Sequence, residues 1–161
     1  MNGRKALVLL VAAGLLLLSA CTPQPSLEED LNAAVKKVKE GADGGQGNGL
    51  IRMNYVAGNF SWDKLYIFGP YSTAKSINES LGFKWEEAGD VIRDLKGDEG
   101  LNLLVFVQGD EVVRHVKHKR KNGDFLPVTT PLTPDTAVFL ADKNKDGWWV
   151  FRPVGSGSPG E

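Results

Sequence analysis

The sequence LNLLVFV, residues 101–107, constrains the fold of this chain more than any other stretch. Successive side chains of a β-strand point to opposite faces of the sheet, and every residue here except Asn102 is apolar. Both faces of such a strand must be covered, so the strand is predicted to lie centrally in a sheet. The QGDE that follows predicts a tight turn into a neighbouring strand, VVRHVKHKR.

A strand, a turn and a capped helix are predicted in succession before this central strand. DKLYIF, residues 63–68, has the pattern of a strand, and the Gly-Pro pair after it ends the ladder because proline cannot donate to it. Ser72 or Thr73 is placed to cap a helix, and Gly82 can adopt the left-handed conformation that closes one. The aromatic residues around this unit therefore indicate a folding unit, with Tyr71 in the turn left over as a candidate partner contact.

The remaining elements indicate the fold class. LIRMNYV near Leu50 reads as a strand, and TAVFLA and GWWVF flank the loop DKNKD as a terminal hairpin. Segment 86–99 suits either a helix or a strand, because Gly89 weakens the helical pattern and the pair Val91-Ile92 favours a sheet. This order predicts an α+β fold, with a mainly antiparallel sheet of about five strands and one or two short helices packed on it.

The N-terminus carries a targeting pattern. Two basic residues precede an apolar run, residues 6–18, which is too short to span a bilayer. The run ends in LSAC, which resembles the lipobox of bacterial lipoproteins. That resemblance implies that residues 1–20 are a signal peptide, that cleavage follows Ala20, and that Cys21 carries a covalent diacylglyceryl lipid. The pattern also fits an ordinary cleaved signal peptide, or an uncleaved anchor with a buried thiol.

Composition divides the rest of the chain into a tether, a domain and a tail. An S-x-x-E capping box opens a short amphipathic helix, residues 26–40, and a Gly-rich linker follows it, so residues 21–49 are predicted as the lipidated tether. The helix either docks on a partner or the bilayer, or packs on its own domain, and the second interpretation is favoured. Residues 50–153 are predicted as the globular domain and 154–161 as a disordered tail.

Cysteine content and charge narrow the class of protein. Cys21 is the only cysteine, so the domain is expected to rely on its hydrophobic core without disulfides. Removing residues 1–20 takes away two basic residues and no acids, which leaves 17 basic and 20 acidic side chains and a formal charge of -3. A charge so near zero argues against nucleic acid or anionic lipid as a bulk partner.

Two patterns that suggest metal sites do not complete one. The loop DKNKDG, residues 142–147, matches the first half of a calcium-binding loop, but the positions that should supply the later ligands are Val150 and Pro153. A plain hairpin turn is therefore predicted there. His115 and His118 lie three apart on a strand, so they point to opposite faces and do not share an ion. No metal is expected.

Two features are candidates for partner binding. The basic stretch RHVKHKRK, residues 114–121, fits lipid headgroups, an acidic wall polymer or an acidic protein surface, or else it keeps a sheet edge soluble. Of two adjacent tryptophans on a strand, one points inward and the outward one is a candidate contact. The resulting candidates are Trp148, Trp149, Tyr71, Arg114, Lys117, Lys119 and Arg120.

No catalytic motif is recognisable, since G-x-S-x-G, P-loop, H-E-x-x-H and C-x-x-C patterns are missing. The sequence therefore predicts a protein that is not an enzyme and has no cofactor apart from the lipid. WDKLYIFGPYSTAKSINESLGFKW followed by LNLLVFVQGDEVV resembles a layout of small exported or lipid-anchored bacterial proteins. That layout offers no catalytic residues to transfer.

The predicted function is a lipid-anchored, non-catalytic binding or interaction domain of the cell envelope. It would be held outside the cytoplasm on the cell membrane, or on the outer membrane where one exists. The expected partners are the membrane, through the lipid, and another envelope protein, whereas no nucleic acid is expected. The alternatives are an immunity or inhibitor protein that acts against an envelope toxin or hydrolase, and an envelope hydrolase.

Overall fold

The computed structural model describes residues 26–45, 47–93, 95 and 98–155. The predicted signal peptide, Cys21 and the end of the predicted tail lie outside the described residues. The helices are α1 (Leu27–Asp43), α2 (Met53–Val56), α3 (Ala74–Leu81) and α4 (Ala88–Val91). The strands are β1 (Leu50–Arg52), β2 (Lys64–Phe68), β3 (Leu101–Gln108), β4 (Glu111–Lys119), β5 (Asp124–Phe125), β6 (Val138–Lys143) and β7 (Trp149–Pro153). In the part of the chain that is described, no helix is both long and apolar enough to cross a bilayer.

The predicted α+β class is confirmed, but the strands form two sheets where one sheet of about five strands was expected. The larger sheet has the order β1-β6-β7-β5 and is antiparallel except for the β5–β7 pair. The smaller sheet is the antiparallel meander β2-β3-β4. The outer edge of β2 bears one isolated bridge, in which Leu65 and Leu132 exchange backbone hydrogen bonds of 2.7 and 2.9 Å.

Strand β3 is covered on both faces, as its sequence predicts. One face packs against the larger sheet and α1, and the other packs against α3 and α4. The first core includes Leu31, Ile51, Leu65, Ile67, Leu104, Phe106, Phe139 and Phe151. The second core includes Tyr66, Phe68, Ile77, Leu81, Leu103, Val105 and Val107. The smaller sheet is therefore the middle layer of three.

The unit of strand, turn and capped helix forms as predicted. Thr73, rather than Ser72, is the N-cap, and its hydroxyl accepts from the backbone N–H of Ser76. Gly82 closes α3 with φ 81°, a left-handed conformation that a residue with a Cβ adopts at a cost. Tyr66 and Phe68, which share a strand face, stack with ring centroids 6.1 Å apart and are buried.

Two segments are helical where the sequence favoured or allowed strand. Residues 53–56, the second half of LIRMNYV, form α2, which buries Met53 against the first core. Segment 86–99 contains α4, which turns Ala88 and Val91 toward the second core. In both cases one helical turn buries the apolar side chains, and tertiary packing outweighs the β preference of a branched residue.

Helix α1 is part of the folded unit. Its predicted capping box is present, with Ser26 Oγ accepting from Glu29 N–H and the Glu29 carboxylate accepting from Ser26 N–H. Leu31 and Val35 are buried in the first core, so the helix packs on its own domain. The helix extends to Asp43, beyond the predicted residue 40, and the folded unit begins with α1 instead of near Leu50.

Candidate functional site

Four of the seven candidate contact residues line two separate surfaces, namely Trp148 and Arg120 on one and Arg114 and Lys117 on the other. The first, which we call the Trp148 groove, has a volume of about 440 Å³ and lies beside β5, β7 and the turn after β6. Its polar lining consists of Glu99, Arg120, Lys121, Asp124, Asn144, Asp146 and the Trp148 indole. The second, which we call the β4 groove, has a volume of about 630 Å³ and lies between β4 and the start of α1. Its lining includes Leu27, Glu28, Phe60, Arg114, His115 and Lys117.

Trp148 is the outward member of the tryptophan pair. Its side chain is 56% exposed and stands one residue before β7. The turn is fixed from within, because Asn144 Oδ1 accepts from the backbone N–H of Trp148 at 2.9 Å and of Asp146 at 3.0 Å. Asn144 Oδ1 thus accepts hydrogen bonds from the backbone of its own turn. The segment is a hairpin turn, as the sequence predicts, and it presents a large ring to solvent.

Trp149 lies on the core side of the larger sheet, but its side chain is only half-buried. It shares a face with the buried Phe151, as residues two apart on a strand do. The ammonium of Lys143 lies 4.6 Å from the centroid of the Trp149 ring. The same ammonium donates to Asp43 at the end of α1, at 2.7 Å. Trp149 is thus covered by a cation–π contact, which leaves Trp148 as the candidate for a partner.

A paired guanidinium and carboxylate form one wall of the Trp148 groove. Arg120 Nε donates to Asp124 Oδ1 at 2.9 Å, and Arg120 Nη2 donates to Asp124 Oδ2 at 2.7 Å. The third donor, Nη1, reaches the backbone carbonyl of Glu99 at 2.8 Å. The hydrogen bond to Asp124 is the main reason that the pKa of Arg120 is raised. Arg120 is therefore a fixed, internally neutralised wall of the groove and not a mobile cation for an anionic partner.

Tyr71 is connected to the same groove through Glu99. Its hydroxyl donates to Glu99 Oε1 at 2.5 Å, while the ring is 78% exposed. This hydrogen bond is also the largest cause of the raised pKa of the Tyr71 hydroxyl. The bond links the turn after β2 to the segment that leads into β3. Glu99 thus brings Tyr71, Arg120 and Trp148 into one neighbourhood.

The basic stretch does not form one patch. Arg114 and Lys117 line the β4 groove, whereas Arg120 and Lys121 line the Trp148 groove, and Lys119 is exposed and lines neither. The reason is the extended strand, since the six steps from Arg114 to Arg120 span about 20 Å at the usual rise. The basic residues of this stretch therefore lie at two grooves and not on one surface.

The two histidines point to opposite faces of β4, as predicted. His118 is buried, and its Nε2–H donates to the Gly123 carbonyl at 2.9 Å, while its ring meets Phe125 edge to face. His115 lies on the other face, with its ring centroid 5.3 Å from that of Trp85. Burial is the main reason that the pKa of each imidazole is lowered. Within the described ranges, no group of three or more His, Cys, Asp or Glu is arranged to hold a metal ion.

Comparison with protein-family models, with curated proteins and with solved structures gave no match for this chain. Sequence reasoning did not single out Asp124 or Asp146 as groove residues, whereas Lys121 belongs to the basic stretch. A signal existed for Asp124, because an acid four residues after an arginine is a frequent pairing distance. The hydrogen bond between Tyr71 and Glu99 had no local signal, because the two residues lie 28 positions apart.

Proposed function

We propose that this chain is an exported lipoprotein whose folded part is a non-catalytic binding domain of the cell envelope. The LSAC pattern supports the lipid on Cys21 and the location outside the cytoplasm. Two acyl chains favour stable anchoring, because each buried methylene contributes about 0.8 kcal/mol and a single chain holds only marginally. The binding function rests on the Trp148 groove.

The observation that carries the binding proposal is the exposed indole of Trp148 beside a fixed polar wall. Exposed tryptophans are uncommon on a protein surface and are enriched among residues that dominate binding energies. The backbone of Trp148 is fixed by the hydrogen bond that its N–H donates to Asn144 Oδ1, so the turn that carries the indole is preformed. The Arg120–Asp124 pair is equally fixed and offers oriented polar atoms. A preformed aromatic and polar surface of this kind is suited to another envelope protein.

Lipidation is tested on the full chain in cells. Metabolic labelling with a fatty-acid analogue should label the wild-type protein, and mass spectrometry should place the lipid on Cys21. Cys21→Ala should lose both the label and the membrane fraction, whereas Ser19→Thr, which keeps the cysteine, is the matched control. An unlabelled wild-type protein would contradict the anchor.

Binding through the Trp148 groove is tested by photo-crosslinking in the same cells. A photoreactive amino acid in place of Trp148 should give a defined adduct, and one in place of the exposed Glu79 on α3 serves as the control. The partner that is identified in the adduct is then purified on its own. It should bind the wild-type chain, and it should bind Trp148→Ala more weakly. Identical adduct patterns from positions 148 and 79 would contradict the proposal. A toxin or a hydrolase as the adduct would indicate the immunity or inhibitor alternative.

A further inference from the structure

The larger sheet has one face that the described helices leave open. Its core side carries Ile51, Phe139 and Phe151, which belong to the first core. Because side chains alternate along a strand, the residues between them point the other way. We call this other side the outer face, and the strand register assigns to it Leu50, Arg52, Val138, Leu140, Asp142, Val150, Arg152 and Val154.

The outer face is more apolar than a solvated sheet face usually is. Antiparallel sheets that face water on one side normally place polar residues there. Leu140 lies in the middle, opposite Leu50 on β1 and Arg152 on β7, and its side chain is 44% exposed. Apolar side chains also occupy positions 138, 150 and 154. The face therefore has the apolar centre that is typical of protein interfaces.

The outer face is continuous with the Trp148 groove. Trp148, Val150 and Arg152 lie two positions apart, so their side chains point to the same side of the sheet. The hairpin pairing extends to Trp148, because its carbonyl accepts from the backbone N–H of Asn144 at 2.9 Å. Val150 belongs to both surfaces, since it also lines the groove. A partner that covers the Trp148 indole thus meets the outer face next.

The groove alone is too small for a stable contact with another protein. Its volume of about 440 Å³ holds only a few side chains of a partner. A specific protein–protein interface buries about 800 Å² on each partner. The outer face adds a surface that extends about 14 Å along β6, from Val138 to Asp142. The two surfaces together have the extent that a protein partner needs.

Two arginines flank the apolar centre of the outer face. Arg52 and Arg152 are exposed, and neither forms an ion pair with a described residue. Asp142 lies at the end of the face that borders the groove, and Asp124 on the same level is already paired within the groove wall. Asp135, in the turn before β6, is exposed and pairs with neither arginine. Both guanidiniums are therefore available for carboxylates of a partner.

We propose that the protein that binds the Trp148 groove also covers the outer face, where it packs apolar side chains on Leu140 and places carboxylates opposite Arg52 and Arg152. This inference rests on the proposed function and extends its binding surface from the groove across the larger sheet. The occupant is a different protein with acidic side chains around an apolar centre. A second copy of this chain would add two more arginines against the single acid Asp142, so it fits the charges less well.

The extent of the interface is tested by photo-crosslinking of the full chain in cells. A photoreactive amino acid in place of Leu140 should capture the same protein as one in place of Trp148. Position 79 on α3 is the control, because α3 covers the opposite side of the smaller sheet. An adduct of position 140 with lipid, with a second copy, with the chain's own residues or with a different protein would overturn the inference.

Affinity for the purified partner tests the two side chains that are assigned to the interface. Arg152→Glu should weaken binding by about tenfold or more, because it places a carboxylate opposite the partner's carboxylates. Leu140→Ser should weaken it by about tenfold, because it removes the apolar centre of the contact. Lys75→Glu, on the exposed face of α3, makes the same change in net charge as Arg152→Glu and should stay within about twofold of the wild type.

Salt dependence tests the acidic chemistry of the partner. Raising the salt concentration from about 0.05 M to about 0.5 M should weaken the binding of the wild type more than that of Arg152→Gln, because salt screens the attraction between opposite charges. Urea unfolding confirms that each variant is folded. An equal salt dependence of the wild type and Arg152→Gln would overturn the assignment of carboxylates opposite this arginine.

Failure of the proposed function can be told apart from failure of this inference. Equal adduct patterns from positions 148 and 79 overturn binding at the groove, and the inference with it. A specific adduct from position 148 without one from position 140 overturns the inference alone. Unchanged affinity of Arg152→Glu and Leu140→Ser does the same. A shared adduct, together with weaker binding of both variants, supports the inference.

Discussion

Gly123 occupies the corner where the chain leaves the smaller sheet and enters β5 in the larger one. Its φ of 150° is rarely adopted by residues with a side chain, and a Cβ placed there would lie 2.1 Å from Cε2 of the Phe151 ring. Phe151 is fully buried and stacks on Phe125, so it has little room to move. The corner also holds Arg120 and Asp124 in position, which makes Gly123 a determinant of the Trp148 groove.

We expect Gly123→Ala to lower the free energy of unfolding by more than about 2 kcal/mol, since an overpacked core and a strained backbone each cost about 1–3 kcal/mol. Gly147→Ala is the matched control: its φ is 80°, but nothing lies within 4 Å of the added Cβ, so only the backbone cost applies. Urea unfolding measures both variants. Equal losses would show that the collision with Phe151 is relieved at no cost.

His118 predicts how stability depends on pH. Burial holds its pKa in the folded chain below the value of about 6.5 that it has when unfolded. Above that pH the His118 imidazole is neutral in both the folded and the unfolded chain, so its protonation takes nothing from the free energy of unfolding. As the pH falls below it, the unfolded chain binds a proton that the folded chain resists, so the stability decreases.

Urea unfolding between pH 7.5 and 5.5 should therefore show the wild-type protein losing stability toward acid. The loss should shrink in His118→Gln, which has no titrating ring. His115→Gln, on the opposite face of β4, is the companion measurement, because burial lowers the pKa of His115 as well. A wild-type stability that stays constant over this range would contradict the assignment.

At the scale of elements, local signals predicted local structure. The capping residues of α1 and α3 and the left-handed Gly82 are determined within a few residues, so the sequence indicates them directly. The division into two sheets depends on the parallel pairing of β5 with β7, two short strands that are far apart in the chain. The hydrophobic periodicity of the sequence does not predict which distant strands pair. The groove was missed for the same reason, although its exposed Trp148 was found.

Helix α1 supplies a prediction at this scale. Leu31 is 1% exposed and belongs to the first core, so Leu31→Ala should lower the free energy of unfolding by about 2–5 kcal/mol. Lys36→Ala, on the exposed face of the same helix, should change it by less than about 0.5 kcal/mol. Tryptophan fluorescence and far-UV circular dichroism should give one shared transition. Separate transitions would mean that the helix is not part of the cooperative unit.

For the whole molecule, the important boundary is the start of α1. A chain that begins at Ser26 should fold cooperatively, because it keeps the apolar stripe that covers the first core. A chain that begins at Leu50, the boundary suggested by composition, exposes that core and should be markedly less stable. The comparison is made by urea unfolding and by the dispersion of amide resonances. Equal stability of the two chains would show that α1 contributes nothing to the fold.

The pairing of β1 with β6 joins parts of the chain that lie as many as ninety positions apart, at Leu50 and Leu140. The meander β2-β3-β4, by contrast, is closed by neighbours, and neighbouring contacts form faster than distant ones. The middle layer can thus form while the Trp148 groove still lacks its final strand. Pulsed hydrogen exchange should show amides of β3 protected before those of β1. With this order of folding, the groove is completed only after the middle layer is in place.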